Sequence, residues 1–195
     1  MKRCLWFLCL LILPAALPAQ TPGHRLAFVS GMSAYKNVNP LGKSLDDSEK
    51  VANALKGVGF AVTSADDLNR DDFLQAFDGF VKQINVNDTV LIYYAGHGIQ
   101  ANGANYLLPL DFKAAGGDIE KQAVRLDSLI QKIAARSPRF KILVIDSCQD
   151  NPLHAKSPGL AEMKASTYGA GTYIATSAAP GQTASDGVFA PRFAA

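Results

Sequence analysis

The 195-residue chain is poor in cysteine, having three in all, and two of them, Cys4 and Cys9, fall within the first ten residues. Cys148 therefore stands alone in the remainder. Chains that meet an oxidising compartment usually carry cysteines in pairs. A single thiol excludes an internal disulfide framework and leaves three readings: an intermolecular bridge, a buried inert group or a reactive one. Long hydrophobic runs are missing too. The apolar stretch Leu5–Leu13 is too short to span a bilayer as a stable helix. Preceded by Lys2 and Arg3 and followed by the small-residue stretch Pro14–Ala19, it reads as a secretory signal, with cleavage expected after Ala19. An uncleaved N-terminal anchor is the competing reading. The expectation is an exported chain, periplasmic or secreted, with no membrane contact once residues 1–19 are gone. Lys2 and Arg3 also account for the whole formal charge of +2. The remainder is neutral, which argues against nucleic acid or an anionic membrane surface as a partner. Internal repeats, low-complexity segments and EF-hand loops are likewise absent from the sequence.

What is present is a regular alternation. Leu26–Ser30, Phe60–Thr63, Thr89–Ala95, Lys141–Asp146 and Thr172–Ser177 read as strands, several of them continuous apolar runs. Between them lie helical patterns. Leu45–Val58 has Val51, Ala54, Leu55 and Val58 on one face, with Ser44 and Asp47 as a capping pair. Asn69 and Asp72 start a second helix with Phe73, Phe77, Phe80 and Ile84 inward. Val124–Arg136 makes a third, with Leu126, Leu129, Ile130 and Ile133 inward. Apolar strands separated by helices predict a mostly parallel sheet covered on both faces, an α/β sandwich. Ligands bind beyond the carboxyl ends of such strands. The segments 98–117 and 151–171 read as long loops at that edge.

Two chemically suggestive residues follow strands. His97, between Gly96 and Gly98, ends TVLIYYAG; Cys148 follows KILVIDS, 51 residues later. A thiol needs a base or a depressed pKa to act as a nucleophile, and imidazole supplies either. The caspase signature places its histidine about 50 residues upstream of its cysteine.

YYAGHG (93–98) and ILVIDSCQDNP (142–152), supported by RLAFVSGMSAYKNV (25–38), NYLLPLD (105–111) and TSAAPGQTASDG (176–187), resemble the caspase-like cysteine peptidases in their bacterial, metacaspase-type branch. The resemblance implies a caspase-like three-layer α/β/α sandwich over residues 24–195, comprising a large-subunit-like region and the start of a small-subunit-like one. It implies a cysteine endopeptidase with Cys148 as nucleophile, His97 as general base and acid, and the amides of Gly98 and Cys148 as oxyanion hole. Asp47 and Asp146 resemble the two acidic residues of the first specificity pocket, implying protein or peptide substrates cleaved after Arg or Lys. Aspartate-directed caspases carry Gln-Ala-Cys, where this chain has Asp-Ser-Cys. Gln149 departs from the Arg common in bacterial relatives. No cofactor or metal is implied. Calcium dependence occurs in some relatives, but no ligands are assignable, and oligomeric state is not readable.

Competing readings stay open at several positions. Asp146 fits a turn cap and Asp47 a helix cap as readily as a pocket. His154 is a rival base without a strand to aim it. His24 is expected to be unstructured. Lys156 and Lys164 are candidate self-cleavage sites. Leu41–Ser44 echoes a phosphate loop, but Asn37 stands where that motif needs glycine. The chain ends at SDGVFAPRFAA, where the family continues through another helix and strand. An incomplete or inactive domain serving as a protein-binding module is therefore the alternative from another class.

Overall fold

The computed structural model describes residues 22–114, 117–147, 165–177 and 189–194. The expected signal at residues 1–19, together with Cys148, Gln149, His154, Lys156 and Lys164, lies outside them. In chain order the elements are β1 (Arg25–Gly31), α1 (Ser44–Gly57), β2 (Ala61–Ser64), α2 (Arg70–Val81), β3 (Thr89–Ala95), β4 (Gly98–Ala101), β5 (Ala104–Leu107), α3 (Ile119–Gln122), β6 (Val124–Arg125), α4 (Leu126–Ala134), β7 (Phe140–Asp146), β8 (Thr172–Thr176) and α5 (Phe189–Phe193).

Five strands form a wholly parallel sheet in the order β2-β1-β3-β7-β8. The central strands are buried along nearly their whole length, because both faces are covered. Side chains alternate between two cores. Phe28, Ile92, Tyr94, Leu143 and Ile145 face α2 and α4. On that side the Phe28 ring meets Phe73 and Phe77 edge-on, with centroids 5.6 and 5.2 Å apart. Burying such a ring contributes about 1.5–3 kcal/mol. Val29, Leu91, Tyr93 and Val144 face the other way, onto Val51, Ala52 and Leu55 of α1 and Ala190 of α5. This is the expected α/β/α sandwich. No described helix is long and apolar enough to cross a membrane.

Several local expectations need correction. Ser44 does not cap α1: Lys43 occupies the cap, no side chain caps it, and Ser44 is already helical and buried. Close packing is the cause, since a Cβ on Gly31 would lie 2.5 Å from the Ser44 carbonyl oxygen. Asn69, by contrast, accepts from the Asp72 amide at 2.9 Å, as its spacing predicts. The helix expected over 124–136 is shorter, because Val124 and Arg125 pair with Leu107 and Tyr106 of β5. Segment 98–117 is not a plain loop. Its hairpin β4–β5 turns at Asn102 and Gly103, both with positive φ, and β6 completes a small antiparallel sheet. An Asn-Gly pair is the sequence signal for that turn. His24 is held rather than loose: its amide donates to the Asp88 carboxylate at 2.7 Å.

Candidate active site

Strands β3 and β7 are direct neighbours, and their last residues, Ala95 and Asp146, lie opposite one another. The chain leaves both at the carboxyl edge, where an open parallel sheet presents its binding crevice. His97 follows β3 by two residues, and in sequence Cys148 follows β7 by two. Cys148 itself is outside the described residues, and Ser147 before it is buried.

His97 is completely buried. Its Nε2 lies 2.8 Å from the carbonyl oxygen of Asn39. A carbonyl can only accept, so Nε2 carries the proton, and the lone pair of the neutral ring resides on Nδ1. Asn39 sits on the segment that follows β1. That segment is held in place by Met32, whose amide donates to Ala95 at 2.8 Å, and by two acidic side chains beyond β2. Asp66 accepts from the Gly31 amide at 2.6 Å. Asp67, at φ 49°, accepts from the amides of Ser33 and Ala34 at 2.6 and 3.1 Å. Desolvation raises the Asp66 pKa above the usual carboxylate value, partly offset by hydrogen bonds from Gly31 and Ser48.

The backbone of His97 is gripped as well. Its N–H donates to the Tyr35 hydroxyl at 3.1 Å, and its carbonyl accepts from the Tyr94 hydroxyl at 2.9 Å and the Leu108 amide at 3.0 Å. Gly96 is required here, because a Cβ would lie 2.5 Å from the Tyr94 hydroxyl oxygen and 2.9 Å from that of Tyr35. Gly98 opens β4 opposite Leu107.

The two candidate pocket carboxylates share the other face of the sheet. Asp146 is buried and accepts from the Tyr93 hydroxyl at 3.2 Å. Its strand neighbours Val144 and Ile142 point toward α1, so alternation places Asp146 on that face too. Asp47 is buried on the first turn of α1, and its Oδ1 lies 3.6 Å from Lys50 Nζ. An acidic residue there also complements the helix dipole. Among the described residues no group of three His, Cys, Asp or Glu side chains could hold a metal ion.

Tyr35, Asn39 and Leu108 were not marked as site residues by sequence. They act through main-chain atoms and hydroxyls brought together by the fold, and no local motif signals that.

Such an arrangement, a histidine at the carboxyl edge of an α/β/α sandwich beside the strand that leads to the lone late cysteine, defines a caspase-like architecture. The family model of the caspase domain matches residues 24–190, and the chain belongs to that family, whose members are cysteine peptidases. Over 125 residues it is 23% identical to the human mucosa-associated lymphoid tissue lymphoma translocation protein 1 and, equally, to its mouse homologue. The match covers 64% of this chain but only 15% of either relative's length. Among solved structures, protein GSU0716 from Geobacter sulfurreducens superposes with a TM-score of 0.52 at 18% identity, over 65% of this chain and 51% of that one. That likeness is one of fold.

Proposed function

We propose that the protein is a cysteine endopeptidase in which His97 activates Cys148 and which cleaves after Arg or Lys. The bond from His97 Nε2 to the Asn39 carbonyl carries the reading. It holds the buried ring in one tautomer and makes Nδ1 the basic nitrogen, on a residue just past β3, whose neighbour β7 leads in sequence to Cys148.

In this mechanism Nδ1 takes the thiol proton, and the sulfur attacks the carbonyl carbon of the scissile bond. The amides of Gly98 and Cys148 stabilise the oxyanion, a contribution of about 3 kcal/mol for one such donor. The imidazolium returns its proton to the leaving amine, and a thioester remains. Water, deprotonated by Nδ1, attacks the thioester and releases the carboxylic acid and the free thiol. The Asn39 carbonyl stabilises the imidazolium by accepting its Nε2–H throughout. Asp146 and Asp47 supply negative charge on one face of the crevice, suited to a guanidinium or ammonium.

The test is hydrolysis of fluorogenic peptides ending in Arg, Lys or Asp by wild type and Cys148→Ala. Turnover of the basic peptides alone, abolished in the variant, is the expected result. Turnover of Asp-terminated peptides alone would refute the specificity, and equal rates in the variant would refute the nucleophile. Retained peptide binding without any turnover would favour the binding-module alternative.

A further inference from the structure

We propose that Tyr35 and Tyr94 are positioning residues that clamp the main chain of His97 so that its ring stays in the tautomer set by Asn39. The proposal rests on the reading of His97 as the base.

His97, Tyr35 and Tyr94 are all buried, at 0, 5 and 1% exposure, so every polar group among them needs a protein partner. Each hydroxyl has one proton to give. Tyr35 donates to the Leu108 carbonyl at 2.9 Å and accepts the His97 N–H at 3.1 Å. Tyr94 donates to the His97 carbonyl at 2.9 Å, with the Leu108 carbonyl as a second acceptor at 3.0 Å. The Leu108 amide donates back to His97, and the two hydroxyl oxygens are 3.3 Å apart. Both ends of the His97 residue are thereby fixed, by groups from three separate segments.

The ring is fixed by the same residue that fixes the amide. The Tyr35 phenol lies 4.7 Å from the imidazole, centroid to centroid, tilted by 51°. Tyr35 and Asn39 belong to one short segment, so the phenol and the accepting carbonyl move together. Loss of the Tyr35 hydroxyl leaves the His97 N–H buried without its acceptor, and the peptide plane has reason to rotate. Rotation swings the ring away from Asn39 and frees the tautomers to exchange. Misplacement of a reacting group by about 1 Å costs on the order of 100-fold in rate. Tyr94 is the weaker half of the clamp, because the Leu108 amide still holds the His97 carbonyl when its hydroxyl is lost.

The experiment uses the full chain with 15N-labelled histidine, in wild type, Tyr35→Phe, Tyr94→Phe and His97→Ala. The chain has three histidines, and His97→Ala assigns the signals of interest. Wild-type His97 is expected to show one protonated and one unprotonated ring nitrogen. In Tyr35→Phe the two signals should move toward each other, with a smaller shift in Tyr94→Phe, while those of His24 stay put. Alkylation of Cys148 by iodoacetamide, located by mass spectrometry, should slow by about 10- to 100-fold in Tyr35→Phe. Wild-type ring signals in both variants would overturn the clamp. Should Tyr35→Phe lose its fold, Tyr94→Phe decides alone: an unmoved His97 signal there counts against the proposal. Failure of the parent reading looks different. His97→Ala would then alkylate as fast as wild type, and the ring signals would still decide the clamp.

Discussion

The Nε2–H of His97 donates to the carbonyl oxygen of Asn39 across 2.8 Å, joining the end of one parallel strand to the segment that leaves its neighbour. That acceptor is a main-chain oxygen, so the orientation of the imidazole depends on the path of a backbone. Residues that shape this path matter without touching any substrate.

Asp67 is the clearest such residue. Asp67→Ala removes the acceptor of two backbone amides, a loss of about 1–3 kcal/mol, visible as a lower urea midpoint. Peptide turnover should fall further than stability alone explains, because Tyr35 and Asn39 shift together. Asp67→Asn should recover most of both, since Asn accepts similarly and tolerates a positive φ. An Ala variant with unchanged turnover would show that the segment needs no such staple.

Gly96→Ala pushes a methyl group into two hydroxyls. The expected cost is about 1–3 kcal/mol of stability, measured by urea unfolding. Adding Tyr94→Phe removes the oxygen that a Cβ would meet at 2.5 Å but keeps the ring carbon at 2.7 Å and the Tyr35 oxygen at 2.9 Å. The double variant should therefore recover only a small part of the Gly96→Ala loss. A double variant as stable as Tyr94→Phe alone would place the whole strain on that one oxygen.

Asp146→Asn keeps an acceptor for the Tyr93 hydroxyl but removes the charge. The ratio of kcat/KM for an Arg-terminated peptide to that for a Gln-terminated one should drop by about 10- to 100-fold, the value of one charged hydrogen bond. A ratio that does not move excludes Asp146 as the reader of substrate charge.

Burial pushes the Tyr94 hydroxyl well above the usual value of 10.0. Tyr168 is also raised, by burial first and then by its hydrogen bond to Asp127. The native state thus keeps protons that the unfolded chain releases. Their contribution is fully present below about pH 10 and is lost as pH rises through the folded-state values. The urea midpoint should hold at neutral pH and fall above about pH 10, with a shallower fall in Tyr94→Phe. An identical slope in that variant would contradict the assignment.

Much of the fold was legible in sequence because its period is simple. Thr89–Ala95 reads as a buried strand and is one, and Leu126, Leu129, Ile130 and Ile133 turn inward as their spacing requires. Alternation failed where strands are very short. Val124 and Arg125 look helical by pattern, but their pairing with Leu107 and Tyr106 comes from residues far along the chain. Asn102-Gly103 carries a hairpin-turn signal, but the strands on either side are four residues each, too short for alternation to stand out from a loop. The Ser44–Asp47 box matched in spacing and failed in space, because Gly31 lets α1 approach until Ser44 is covered. At the site, His97 was marked by its glycines and strand. Its supports were not, because a carbonyl such as that of Asn39 is present in every residue and acquires meaning only from position.

The segments that hold His97 meet from long range: Tyr35 and Leu108, joined by one bond, are 73 residues apart. Contacts of that separation form late, once the entropy of closing large loops has been overcome. A chain still emerging, with β1 and β3 made but β5 not yet in place, has the histidine without its aim. The oriented imidazole is thus a property of the finished sheet, and a growing or partly unfolded molecule does not carry it.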